Sequence, residues 1–376
     1  MKLLDRSAVV AAWALALALS LSPGESSAQQ RKGSEPASGA SSKASAGAKK
    51  TAGKADARGT PAAQRKARPA AVARAGQPAR AVSGKRARAA RKVAIVPAVP
   101  SVGRQTGLHE VSDPLALKSG VALVMDQDSH QVLLSKNSDA VLPIASITKL
   151  MTALVVIESG LSLDEVLTID QDDAEHTSNS RSRLQSGTTM SRADMMRLAL
   201  MSSENRAAHA LSRHYPGGRE AFVAAMNRKA LQLGMGDTRF VEATGLSAEN
   251  RSSAMDLARL VTAASAHEVI REFSTAKESL VPVGSAEKLV HFRSTNGLIG
   301  NPEWDISLQK TGYIAAAGRC LVMQAQMAGR RLVMVLLDSA GTYSRFGDAE
   351  RIRQWLAKEG SSLAATAAAA ATPAPR

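Results

Sequence analysis

Apolar and polar positions divide this 376-residue chain into an apolar opening, a long polar stretch and a patterned remainder. In the remainder, Val121-Ala122-Leu123-Val124-Met125-Asp126 and Val132-Leu133-Leu134-Ser135 bracket the turn-forming Asp126-Gln127-Asp128-Ser129, which predicts a β-hairpin. An apolar helix follows from about Ser146 and ends near Gly160. Residues 171–187 are polar, with a Ser, Thr, Asn and Arg cluster from Thr177 to Arg183, and predict a loop beside a groove. Ser191-Arg192-Ala193-Asp194 resembles a capping box opening a helix over 193–201, which delivers Ser203-Glu204-Asn205 in a turn. Helical spacing returns over 219–233, stopped by Gly234, and over 253–264. After Leu280-Val281-Pro282-Val283 the pattern is that of strands, over 308–313, 320–327 and 332–338, with Ala328-Gly329-Arg330 turning between the last two. A final helix over 345–358 places Ile352, Trp355 and Leu356 on one side. Strands at both ends and helices between them predict an α/β (α+β) fold: an antiparallel sheet assembled from both chain ends, with flanking helices and an inserted helical lobe.

Composition changes the picture at the two ends. Lys2 and Arg6 precede an apolar run from Ala8 to Leu21, then Pro23 and Ser26-Ser27-Ala28, the layout of a cleaved secretory signal over 1–28. The run is too short for a spanning helix, so a retained anchor is the weaker alternative. Residues 29–105 hold no aromatic residue and are rich in Ala, Lys, Arg, Ser, Gly and Pro, so they bury too little apolar surface to offset their ordering entropy and read as a disordered linker. Between residues 31 and 100 there are 17 Lys and Arg against Glu35 and Asp56, so the chain's net charge of +15 belongs to this segment. The folded part, expected over 106–360, is close to neutral, and 361–376 is an Ala/Thr/Pro-rich tail expected to lack structure. A basic tether attracts polyanions. With an exported chain, nucleic acid is excluded, and the partners expected for the basic 31–92 segment are anionic envelope polymers and lipid head groups; the alternative is a plain solvated spacer.

The candidate chemistry begins with Ser146 and Lys149, three residues apart where the first apolar helix begins. That spacing sets both side chains on one face. A serine hydroxyl becomes a nucleophile when a neighbouring amine is held neutral by burial or a second cation; otherwise Ser146 is simply an N-cap. The same Ser-x-x-Lys spacing recurs at Ser274/Lys277, Ser285/Lys288 and Ser307/Lys310, so the motif needs company. Cys320 is the only cysteine and sits in an apolar strand pattern, which excludes an internal disulfide and reads as a buried thiol. The seven histidines show no metal-ligand spacing, so no metal and no cofactor is expected.

Company is found in chain order: Ser146-Ile147-Thr148-Lys149, then Ser203-Glu204-Asn205, then Lys310-Thr311-Gly312. Competing matches fail on position, since Lys118-Ser119-Gly120 precedes the serine and Ser294-Thr295-Asn296 leaves no room for a helical lobe before Lys310. The ordered triple, with Ala199 to Ala208 around its second element, Ala221 to Asn227, Thr244-Gly245-Leu246-Ser247 and Lys310 to Ile314, resembles the low-molecular-mass penicillin-binding proteins, peptidase family S11. Within that family it is most similar to the D-alanyl-D-alanine endopeptidase branch, penicillin-binding protein 7-like, over about 118–355. The resemblance implies a β-lactamase/transpeptidase-like fold and a periplasmic enzyme that acts on peptidoglycan stem peptides and cross-links and is inhibited by β-lactams. It implies Ser146 as nucleophile, Lys149 as base, Ser203 as proton relay and Asn205 as the group holding Lys149. It further implies that Lys310, Thr311, Gly312 and Tyr313 bind substrate. Lys310 would supply positive charge, Thr311 a hydroxyl for a carboxylate, Gly312 close backbone approach of substrate, and the N–H of Tyr313 an oxyanion donor beside that of Ser146. The carboxypeptidase branch is the alternative, although its additional β-domain and amphipathic anchor are not expected here. A β-lactamase is disfavoured because no Glu-x-x-Leu-Asn run lies between Asn205 and Lys310. A polyanion-binding envelope protein with an inert lobe is the remaining class.

Overall fold

A computed structural model describes residues 99–371, with side chains through residue 358. The expected signal over 1–28 and the linker up to residue 98 lie outside the described residues. At the centre is a five-stranded antiparallel sheet in the spatial order Val132–Lys136, Ser119–Asp126, Arg330–Ser339, Gly318–Met327, Asp305–Ile314. Val121 faces Leu337, Met334 faces Met323 and Val322 faces Lys310 across the ladders. Both faces of this sheet are covered, which is why its strands read as near-continuous apolar runs. Leu123, Val322, Val333 and Val335 pack toward the helical lobe, whereas Ala122, Val124, Met323 and Met334 pack beneath the last helix with Ala349, Ile352 and Leu356.

The helix Thr148–Glu158, entered through a tight turn at Ala145–Ile147, runs through the lobe. Every residue from Thr148 to Val156 is buried, as expected of a helix surrounded on all sides. Its neighbours are the helices Arg192–Met201, Asn205–Arg213, Gly218–Gln232 and Ala254–Ser265. Local chemistry sets their starts: Ser191 accepts from the Asp194 N–H at 3.1 Å, and Ser253 from the Asp256 N–H at 3.3 Å.

Three expectations change, and one hairpin is added. The fold begins before 106, because the Ser101 hydroxyl donates to Asp338 at 2.8 Å and the Val102 N–H to the Ala316 carbonyl at 2.9 Å. The polar stretch 171–187 opens as a short helix, Gln171–His176, closed by a reciprocal capping box between Asp170 and Asp173 that compensates for the lack of apolar periodicity. A hairpin that the sequence pattern did not predict pairs Glu278–Val283 with Lys288–Arg293, apart from the main sheet. The last helix spans Ser344–Ala371, passing the expected stop at 358 into the supposed tail, since alanine has the highest helix propensity. No helix among the described residues is long and apolar enough to cross a membrane.

The two chain ends are locked by Asp348, fully buried on the last helix. Its carboxylate accepts from the Lys118 N–H at 3.0 Å, and from the Ser119 N–H at 2.8 Å and hydroxyl at 2.6 Å. Asp348→Ala leaves these donors without a partner and should lower the unfolding free energy by about 3 kcal/mol, read from the urea midpoint.

Candidate active site

The turn carrying Ser146 is held in an uncommon conformation, with Ala145 at φ +48°. Lys149 lies one helical turn on and is buried, 1 % exposed. Its Nζ is 2.8 Å from Ser146 Oγ and donates to Asn205 Oδ1 and to the Thr244 carbonyl, both at 2.6 Å. Burial pulls the Lys149 ammonium down to about 7, partly opposed by the carboxylates of Glu242 and Glu204. A neutral amine keeps two N–H groups for Asn205 and Thr244 and directs its lone pair at the Ser146 hydroxyl. Ser146 makes no capping bond at the helix start, so the N-cap alternative falls.

The third motif is on the edge strand Asp305–Ile314, yet Lys310 is fully buried. Its Nζ donates to Ser203 Oγ at 2.9 Å and to the Thr311 carbonyl at 2.8 Å. Ser203 sits at φ +62° in the turn before helix Asn205–Arg213. Burial, followed by the charges of Lys149 and Arg345, pushes Lys310 well below the ordinary lysine value. Thr311 Oγ1 lies 2.6 Å from Thr295 Oγ1, which brings the discarded Ser294-Thr295-Asn296 stretch to the site. At Gly312 a Cβ would come 3.1 Å from both the Ile144 carbonyl and the Ser146 nitrogen, so the chain's own nucleophile turn already requires close approach there. Tyr313 is 57 % exposed, its ring 4.5 Å beneath the Arg319 guanidinium.

Sequence reasoning missed the support behind Lys149. Glu242 accepts from the Thr244 N–H and the Gly245 N–H, both at 2.6 Å, and from Asn250 Nδ2 at 2.8 Å. Asn250 Nδ2 also donates to Thr148 Oγ1 at 3.1 Å. Gly245 has φ +84°, and a Cβ on it would lie 1.9 Å from the Ala145 carbonyl oxygen. The one sequence signal was Thr244-Gly245-Leu246-Ser247, which stood out without a role. Glu204, buried so that its carboxyl is pushed up, accepts from Ser182 Oγ at 2.6 Å and ties the 171–187 stretch to the second motif. One group of potential metal ligands occurs among the described residues: Asp172, His176 and His209, with ligand atoms within 4.8 Å of one another. Their separation in sequence across two helices concealed it.

The family model of D-alanyl-D-alanine carboxypeptidases, peptidase S11, matches residues 108–341. The chain belongs to this family. It is a serine D,D-peptidase with the penicillin-binding, transpeptidase-like fold. This S11 chain is 50% identical over 240 residues to a D-alanyl-D-alanine endopeptidase of Pseudomonas aeruginosa, covering 64% of this chain and 77% of the relative. It is 42% identical over 261 residues to a D-alanyl-D-alanine endopeptidase of Escherichia coli, covering 69% and 84%. Among solved structures it is similar to penicillin-binding protein D2 of Listeria monocytogenes in its ampicillin-bound form, with TM-score 0.54, 29% identity and coverage of 64% and 98%.

Only neutral Lys149 accepts a proton, so acylation by a fluorescent penicillin should fall as pH drops below about 7. The Glu242 carboxylate stabilises the ammonium, so Glu242→Gln should move this acid limb to lower pH, by about 0.5 unit. Stopped-flow pH profiles of both proteins check the sign.

Proposed function

We propose that this protein is a periplasmic D,D-endopeptidase that opens D-Ala to diaminopimelate cross-links of peptidoglycan through an acyl-enzyme on Ser146. The observation carrying this is the 2.8 Å contact between Ser146 Oγ and a buried Lys149 drawn to about 7. In this reading Ser146 Oγ attacks the D-Ala carbonyl while Lys149 takes its proton, and the N–H groups of Ser146 and Tyr313 stabilise the oxyanion. Collapse breaks the C–N bond as Ser203, backed by Lys310, relays to the leaving amine the proton that Lys149 took from Ser146, which returns Lys149 to its neutral form. Water then cleaves the ester, with Lys149 again as base. The carboxylate on the leaving residue is received by Lys310 and the paired hydroxyls of Thr311 and Thr295.

Both the terminal D-Ala-D-Ala bond and the cross-link carry that carboxylate, so the catalytic groups suit either. The endopeptidase reading is favoured because the relatives so named share 50% and 42% identity, against 31% for a carboxypeptidase of Escherichia coli. The stretch 171–187, tied to Glu204 by Ser182, is the candidate wall for a bulky leaving stem. Labelled penicillin should attach to Ser146, be lost in Ser146→Ala, and persist as penicilloyl-enzyme; rapid penicillin turnover would favour a β-lactamase. Given cross-linked dimer and monomeric pentapeptide in equal amounts, the enzyme should cleave the dimer first, as followed by chromatography. Faster loss of terminal D-Ala from the monomer would make it a carboxypeptidase.

The basic segment supports a second, separable role in location. Deleting 29–98 should leave hydrolysis of a short soluble muropeptide unchanged but weaken binding to sacculi or anionic vesicles and remove its salt dependence, because exposed charge is screened over about 10 Å at 0.1 M salt. Equal salt-sensitive binding by the truncated protein would reduce the segment to a spacer.

A further inference from the structure

The short helix Gln171–His176 and the helix Asn205–Arg213 meet where two imidazoles stack, His176 on His209, with ring centroids 4.9 Å apart and planes inclined by 20°. His209 is oriented from behind: its Nδ1 lies 2.7 Å from Asp173 Oδ1, leaving Nε2 to face outward. Asp173 is fully buried and fixed in turn by Arg213, whose Nη2 donates to Oδ2 at 2.8 Å. His176 Nδ1 lies 2.9 Å from the Asp172 carbonyl, so its Nε2 is likewise turned away from its own backbone.

One atom lies where these groups converge. Arg219 Nη1 is 2.9 Å from Asp172 Oδ2, 3.1 Å from His176 Nε2 and 3.2 Å from His209 Nε2. Two imidazole nitrogens and a carboxylate oxygen around one positively charged group form a cation site. Imidazole and carboxylate together suit a borderline divalent ion such as Zn²⁺, and a carboxylate behind a ligating histidine is the usual second tier of such sites. The ligand atoms, within 4.8 Å of one another, need to close to about 3.5 Å for bonds near 2.1 Å. His176, at the half-exposed end of a six-residue helix, can supply that movement. Arg219 has somewhere to go: beside it an open cleft of about 740 Å³ runs between Val223, Asn227 and Leu246.

We propose that Asp172, His176 and His209 form a Zn²⁺-class divalent cation site, for which the Arg219 guanidinium is the built-in competitor. Binding would join the root of the 171–187 stretch to the helix that begins at Asn205, without entering the Ser146 cluster.

The test uses the full chain without a polyhistidine tag, freed of metal by dialysis against chelator. Co²⁺ is titrated for its visible ligand-field bands, and Zn²⁺ affinity is read by competition with a chromophoric chelator. The wild type should bind one equivalent, and Arg219→Met, which removes the competing cation, should bind at least tenfold more tightly. His176→Ala and Asp172→Asn, at partly exposed positions, should each lose at least tenfold in affinity while keeping the metal-free wild type's thermal unfolding midpoint within a few degrees, which reports an intact fold. Failure of Arg219→Met to bind one equivalent more tightly than the wild type, or unchanged affinity in His176→Ala, overturns the proposal.

Discussion

An ammonium group out of contact with water is the constraint around which this structure is arranged. Moving a lysine charge into a protein interior costs several kcal/mol unless partners replace its hydration. Lys149 receives three acceptors and two carboxylates at longer range, each delivered by a different part of the chain. Asn205 comes at the first residue of a helix, Thr244 at a loop tightened by Glu242, and Ser146 from one turn earlier. The supply is enough to keep the amine in place but not enough to keep it charged at every pH. Lys310 receives no carboxylate among its principal influences, only the charges of Lys149 and Arg345.

Close approach is the second condition. Two glycine α-carbons, at positions 245 and 312, press on the turn 144–146 from separate parts of the chain. Any side chain at either would displace the carbonyl or the nitrogen flanking Ser146. With Ala145 and Ser203 both at positive φ, the serine beside Lys149 and the serine beside Lys310 are held by backbone that the surrounding packing must over-determine. Stability has been given up locally for fixed positions of two hydroxyls.

The parts of the fold legible in the sequence are those whose causes are local. Hairpin turns, caps at Ser191 and Ser253, and apolar runs each act within a few residues, and the strand ladder follows from them. The site was legible where side chains recur in order, from Ser146 to Lys310. It was not legible where the backbone does the work: the Thr244 carbonyl has no side-chain signature, and Glu242 holds its loop by binding N–H groups two and three residues ahead. Thr295 was passed over because its relevance depends on a strand 16 residues away arriving beside it. The helix at Gln171 rests on paired aspartates without an apolar face, and the last helix on alanine propensity, neither of which periodicity detects.

The sheet's connectivity also has a consequence in time. Ser119–Asp126 has one neighbour close in sequence, Val132–Lys136, but its other is Arg330–Ser339, made some two hundred residues later. At about 5–20 residues per second, the early hairpin waits roughly 10–40 s with an apolar strand edge unpaired. Long-range pairing of this kind makes folding slow and leaves the nascent chain without a finished sheet until its end emerges. Until Arg330–Ser339 arrives to cover it, that open edge remains a template for pairing with the wrong strand.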